Sequence, residues 1–263
     1  MIHMGRTFIG AFLAVSLCAL ASAQNSPGSG VPLDGEQLRE SARLDLSKAQ
    51  VKEISPGVYD LRGIRMIKAD RSVSFPAEVN LIDAPMEYFL VTNYGASHES
   101  IFRTNIQPID LHIAMLLLGA KGAVRDGKNP VSTEKSRNPS ESPITGDKVE
   151  ITVSWQRENL GLSLRASSVA LTTLTGKKET LEIGKWIYNG SELNDGIFIA
   201  QIHGDIVSLI SNEFALINYV GAGAENDDIW LANRALLPPV GQGVTITVRL
   251  IQARQDESSK SGK

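Results

Sequence analysis

The sequence predicts an α+β domain that is rich in β-structure, with mostly antiparallel sheets packed around one central buried helix at about residues 107–119. Two observations carry this prediction. Apolar and polar residues alternate strictly through 149–155 and 244–250, as they do in strands with one buried face. A run of apolar residues between Pro108 and Gly119 leaves hardly any polar face, which is typical of a buried helix.

Composition excludes several classes of function. The chain has 263 residues and a formal net charge of −3, so its surface does not favour nucleic acid as a partner. Its single cysteine, Cys18, falls in the predicted signal segment described next. The remaining chain therefore has no thiol for disulfides, zinc thiolates, iron–sulfur clusters, haem attachment or nucleophilic catalysis.

Residues 1–23 have the pattern of a secretory signal peptide. Arg6 precedes an apolar run over 8–20, and Ala21-Ser22-Ala23 is a small-residue cleavage site. The run is shorter than the roughly 20 apolar residues that span a bilayer, and no later run reaches that length, so no transmembrane segment is expected. We expect export and a periplasmic or extracellular location after cleavage near Ala23. Lipid attachment at Cys18 is an open alternative, which Leu17 disfavours because a small residue normally precedes a lipidated cysteine.

The segment that follows the signal, residues 24–50, is predicted to be a flexible leader with one short helix. Gly, Ser, Pro and Asn dominate residues 24–30, a composition typical of linkers. Residues 34–48 combine leucines with mixed charge, which indicates a short amphipathic helix.

Short β-like runs separated by turn residues begin at Val51 and continue to the helix. Two of them, 87–92 and 99–104, are expected to pair across the intervening 93–98 segment. The predicted strands are 51–54, 58–61, 64–67, 72–75, 78–82, 87–92 and 99–104.

The helix is delimited by its own sequence. Pro108 suits the first helical position, where a missing N–H costs nothing, and Gly119 suits the position just after the helix ends. Residues 122–147 then lack apolar periodicity and are predicted to be an exposed loop. Strands are expected to return at 148–155, 163–171, 180–188, 197–203, 206–210, 215–220 and 244–251. Residues 253–263 are predicted to be a disordered tail. The residues between the leader and this tail, 51–252, are predicted to form a single domain.

Several segments resemble the YdjY-domain family of exported bacterial proteins. The most distinctive is His98-Glu99-Ser100 leading into the leucine-rich helix that ends at Gly119-Ala120. Trp186, Gly204-Asp205 and Pro238-Pro239 also fit, and the resemblance spans about residues 50–252. It implies the YdjY domain fold but no established activity.

Three residues are candidates for a divalent metal site: His98, Glu99 and His112. Imidazole and carboxylate groups are ligands for zinc and similar ions, and His203 or Asp205 would be a natural further ligand. The spacing matches no compact ligand motif. The alternative is that His112 is a core histidine, hydrogen-bonded to Glu99 or to backbone, that joins the helix to the sheet.

Other motifs favour structural roles. Residues 202–206 are interpreted as a tight hairpin in which Gly204 supplies a positive φ, and Asn189-Gly-Ser191 fits a glycosylation sequon. No dinucleotide fingerprint or hydrolase elbow is present. The sequence therefore favours a non-enzymatic binding or assembly module without a cofactor, whose partner is an unknown protein or small molecule. The alternative is a divalent-metal-binding protein or metal-dependent enzyme that uses His98, Glu99 and His112.

Overall fold

The computed structural model describes residues 35–123, 144–158 and 160–251. The predicted signal peptide, most of the leader, the middle of the 122–147 loop and the C-terminal tail lie outside these residues. The described residues form seventeen strands and four α-helices, joined in places by short 3-10 turns.

The strands before and just after the long helix are β1 (Val51–Ser55), β2 (Val58–Leu61), β3 (Ile64–Ile67), β4 (Ser72–Val79), β5 (Tyr88–Thr92), β6 (Ser100–Thr104) and β7 (Asp147–Arg157). Those that follow are β8 (Leu160–Arg165), β9 (Ala170–Thr172), β10 (Glu179–Thr180), β11 (Trp186–Tyr188), β12 (Leu193–Asn194), β13 (Ile197–Phe198), β14 (Asp205–Ser208), β15 (Ile217–Tyr219), β16 (Trp230–Ala232) and β17 (Gly243–Leu250). The helices are α1 (Gly35–Ser41), α2 (Pro108–Leu117), α3 (Ala166–Val169) and α4 (Ile199–His203).

Eight strands close into a barrel. Their order around the ring is β4-β17-β7-β11-β15-β14-β5-β6, and β6 pairs with β4 again. The prediction of sheets packed around a central helix is therefore wrong, because the sheet curves around an interior that strand side chains fill. Closure depends on the pairing of β4 with β17 and with β6. A local sequence pattern does not predict pairing between strands that are separated along the chain. Strands β1 to β3 extend from β4 as a meander. Strand β8 pairs with the C-terminal part of β7, beyond the residues that pair with β11.

The interior of the barrel is built from the alternating strands. The odd residues 149–155 of β7 and the even residues 244–250 of β17 are buried, as the sequence predicts, and the residues between them are partly or fully exposed. A row of aromatic rings adds to this core: Phe89 lies 5.7 Å from Trp186, and Tyr219 lies 5.4 Å from both Trp186 and Trp230 between ring centroids. Such aromatic pairs add specific edge-to-face contacts to the burial of apolar area.

Strand β4 runs without interruption through Pro76, where the sequence predicts a break. Pro76 lies opposite Thr245 of β17 on one side. On its other side the pairing with β3 ends at Ser74, and the pairing with β6 starts at Glu78. The missing N–H of proline therefore falls at a gap in the ladder, where a strand tolerates it.

Strands β5 and β6 pair as predicted but run parallel, with Tyr88 opposite Ser100 and Thr92 opposite Thr104. The chain returns through a short 3-10 turn, Ser97–Glu99, between them. Strands β14 and β15 are also parallel, so the barrel is mixed and not uniformly antiparallel.

The apolar run forms α2 as predicted, with Pro108 in its first turn and Gly119 at φ +87° just beyond its end. The helix packs against β3, β4 and α4. The predicted strand at 197–203 is wrong beyond its first two residues, because the chain turns into α4 there. Within the described part of the chain, no helix has the length and apolar character needed to cross a membrane.

Candidate functional site

His98 and Glu99 lie on the 3-10 turn before β6. The imidazole Nε2 of His98 is 3.5 Å from a carboxylate oxygen of Glu99, and the side chain of His98 is 79% exposed. A pair this exposed contributes little to stability, since solvent screens the attraction.

His112 lies elsewhere, on α2 facing β11. Its Nδ1 is 2.8 Å from the hydroxyl of Tyr188, and its ring centroid is 4.6 Å from that of Phe198. The helix is thus joined to the sheet through the contact between His112 and Tyr188. No group of three or more His, Cys, Asp or Glu side chains among the described residues is placed to hold a metal ion. The metal site at His98, Glu99 and His112 stays a prediction without a three-ligand cluster to support it.

Glu99 does form a carboxylate pair, with Glu87. Burial is the largest cause that raises the pKa of Glu87, and the negative charges of Glu99 and Asp227 raise it further. The main-chain N–H of Glu87 also donates to the carbonyl of Glu99, which keeps the two residues together. The fold therefore favours the protonated form of Glu87 relative to the unfolded chain.

Glu87→Gln is expected to stabilise the protein at neutral pH. The raised pKa means that the folded state loses stability as pH rises above the ordinary range of a glutamate. The amide removes that loss, so Tm should rise by roughly 1–3 °C at pH 7, with the difference shrinking toward zero near pH 4. Thermal unfolding from pH 4 to 8 measures this, with Glu179→Gln on the exposed β10 as the control. A difference that grows at low pH would contradict the assignment.

Asp205 and His203 flank Gly204 at the end of α4. Gly204 has φ +79°, as the sequence requires, but it ends a helix instead of turning a hairpin. Asp205 is buried; burial raises the pKa of its carboxyl, and hydrogen bonds from Asn212 and Tyr88 oppose that shift. The Nδ1 of His203 is 3.9 Å from this carboxylate.

Three asparagines hold the crossover from β14 to β15, and no sequence pattern predicts their network. The Nδ2 of Asn218 donates to the side-chain oxygen of Asn189 and to the carbonyl of Asn212, both at 2.9 Å. The main-chain N–H of Asn212 donates to Oδ1 of Asn218 at 2.8 Å. The amide of Asn189 also donates to the carbonyls of Glu213 and Ala215, and its side chain is buried. The sequon at Asn189 is thus used structurally, and a glycan there would have to break this network.

A cleft lies where the chain's first described segment meets the domain. We call residues 35–49 the N-terminal arm, and the cavity of about 260 Å³ beneath it the arm cleft. Its lining divides between the arm (Glu40, Ser41, Arg43, Asp45, Ala49) and the domain (Arg62, Gln107, Ile109, Asp110, Ile113, Gln201).

The domain wall of the arm cleft contains an ion pair beside the apolar side chains of Ile109 and Ile113. Asp110, in the first turn of α2, is 3% exposed, and its carboxylate accepts a hydrogen bond from Arg62 at 2.9 Å. Burial raises the pKa of Asp110, while the charge of Arg62 acts to lower it. Burying an unpaired charge costs free energy, so the ion pair between Asp110 and Arg62 stabilises this wall.

Gln201 of α4 is wholly buried at the back of the arm cleft. Its Oε1 accepts from the main-chain N–H of Ile109 at 3.2 Å, and its Nε2 donates to the side-chain oxygens of Gln107 and, at 3.4 Å, Ser41. One side chain therefore ties α4 to both α2 and the arm. Hydrogen-bonding and ion-pairing groups of this kind can recognise a polar ligand. This site was not predicted from the sequence, because its residues come from four separated segments and none of these segments forms a motif.

No curated protein and no solved structure matches the chain. A family model, the YdjY domain, matches residues 64–249, which is well over half of the chain. The match includes α2, α4 and all eight strands of the barrel, and it begins after the arm. The resemblance found in the sequence is thus confirmed, and the chain belongs to the YdjY domain family.

Proposed function

We propose that the protein is an exported, non-enzymatic binding module whose ligand occupies the arm cleft. The observation that carries the proposal is the cleft itself, a cavity of about 260 Å³ with two buried polar side chains, Asp110 and Gln201, in its wall. Ligand sites combine a concave shape with a few polar groups of fixed orientation. Arg62 and Gln107 bring further polar groups to the same wall.

Substitutions that fill the cleft test this directly. Ala49 lines the cavity, so Ala49→Trp would place an indole in it without removing a buried hydrogen bond. Ala222→Trp is the matched control, because Ala222 is exposed and is not part of the lining. The probes are a panel of free amino acids, tripeptides and monosaccharides, each at about a millimolar concentration, which detects weak binding.

We expect at least one probe to raise the Tm of residues 24–263 and to bind in calorimetry. Ala49→Trp should weaken that binding at least tenfold, and Ala222→Trp should leave it unchanged. The proposal fails if no probe binds, or if a probe binds equally well to the Ala49→Trp protein.

Export is a separate part of the proposal and has its own test. A basic start, a short apolar run and Ala21-Ser22-Ala23 support it. Expression of the full chain in a bacterial host should give a mature product that begins at Gln24, measured by intact mass. A product that keeps residues 1–23 and stays in the cytoplasm would contradict export.

A further inference from the structure

The N-terminal arm contacts the domain in the way that a bound peptide contacts a strand. The main-chain N–H of Phe198 donates to the carbonyl of Ala42 at 2.8 Å. Arg43 lies opposite Ile197 in an isolated antiparallel bridge, at the strand β13. Main-chain pairing along a strand, with one side chain in a recess, is a recurring mode of peptide recognition.

Ala42 is the side chain in the recess. It is 0% exposed, although no residue of α1 next to it is buried. The next buried contact of the arm is Leu44, which is only partly buried against the core. Because protein interiors are closely packed, a longer side chain at this position is expected to displace its neighbours, so the position favours a small residue.

The arm fits the domain incompletely. The arm cleft remains open beneath it, with Asp110, Gln107 and Gln201 on the domain side. Leu46, at the far end of the arm, is 58% exposed. Among the arm side chains that the structure describes, Ala42 alone is buried, so release of the arm exposes little apolar surface to water. The residues that form the seat on β13, α4 and the start of α2 lie within the YdjY match, and the arm precedes it.

We propose that this seat, formed by β13, α4 and the start of α2, is a docking groove for a polypeptide segment of a partner, and that the arm occupies it in cis as a built-in competitor. The partner segment is extended at the groove and carries a residue no larger than alanine at the anchor position. The proposal goes beyond the binding function proposed for the arm cleft, because the partner segment replaces the arm and does not fill the cavity beneath it. Displacing the arm exposes the groove, so binding is coupled to release of the arm.

The test uses the whole mature chain, residues 24–263, and a fluorescein-labelled peptide with the sequence of residues 35–49. Ala42→Arg should evict the arm, because the recess has no room for a guanidinium group. The labelled peptide should then bind the Ala42→Arg chain at least tenfold more tightly than the wild-type chain, whose own arm competes at a high effective concentration. A labelled peptide that itself carries Ala42→Arg should not bind. Ala222→Arg is the control and should behave as the wild-type chain.

A second variant tests the proposal even if the Ala42→Arg chain does not fold. The mature chain has no cysteine, so Arg43→Cys with Ile197→Cys places one pair at the antiparallel bridge, where the backbones are close enough for a disulfide. The oxidised chain, with its arm locked, should bind the peptide at least tenfold more weakly than the same chain after reduction.

Three results would overturn the proposal: no peptide binding by the Ala42→Arg chain, equal binding by the wild-type chain, or no change on reduction of the locked chain. A wild-type chain that is dimeric by sedimentation, with exchanged arms, would overturn occupancy in cis. The proposed binding function would survive any of these if a panel probe still bound the wild-type chain and lost that binding in the Ala49→Trp protein.

Discussion

Replacing Asn218 with alanine is expected to lower the free energy of unfolding by about 3–6 kcal/mol. The side chain is 0% exposed and makes three hydrogen bonds, two to Asn212 and one to Asn189. Alanine leaves the partners of all three bonds without a replacement, and the cost in free energy is largest at the buried Asn189. Tm should fall by roughly 8–20 °C, measured by calorimetry or by urea unfolding.

Asn93→Ala provides the control for Asn218→Ala. Asn93 is exposed, and within the described ranges its side chain bonds to Asn105 alone, at the surface. Its replacement should change stability by no more than about 0.5 kcal/mol. Similar losses for the two variants would mean that the asparagine network does not hold the β14–β15 crossover.

Gly204→Ala is expected to be about as damaging, with a loss of about 3–5 kcal/mol. Gly204 is left-handed at φ +79°, and an added Cβ would lie 2.2 Å from Oγ1 of Thr92 and 2.9 Å from Cα of Gly95. The backbone of Gly95 cannot move aside without disturbing the end of β5. Chemical denaturation at fixed temperature measures the change.

Gly241→Ala separates the steric clash of the added Cβ from the strain of a left-handed backbone. Gly241 has nearly the same φ, +83°, but an added Cβ meets nothing within 4 Å. It should cost only about 1 kcal/mol, the strain of a left-handed alanine. In addition, Thr92→Ala combined with Gly204→Ala should recover part of the loss, since it removes the nearest clashing atom. Equal costs at positions 204 and 241 would show that backbone strain alone is responsible.

Local patterns were enough to locate many strands and the helix. Alternation identified β7 and β17, and turn residues separated β1, β2 and β3 at nearly their observed bounds. The start of α2 followed from Pro108 and its end from Gly119, because each residue acts within one turn of the chain.

Features that depend on distant pairing were not predictable. Pro76 looked like a strand break until the pairing of β3 and β6 on either side of it was known. Apolar residues at 197–202 fit a strand as well as a helix, since so short a run carries no distinct period. The arm cleft combines Arg62, Asp110 and Gln201, which lie far apart in sequence and form no motif. The Tyr188 partner of His112 was hidden for the same reason.

The closed ring of strands also sets the order in which the chain can fold. Phe75 of β4 lies opposite Ile246 of β17, about 170 positions later, and β17 pairs along its other side with β7. The ring cannot be completed until the last strand has been synthesised. Every earlier stage has two unsatisfied strand edges, on β4 and on β7, and such edges are the surfaces through which nascent chains aggregate. Folding should therefore be slow, and the barrel should form only in chains that include β17. A chain that stops before Gly243 is expected to remain open and insoluble.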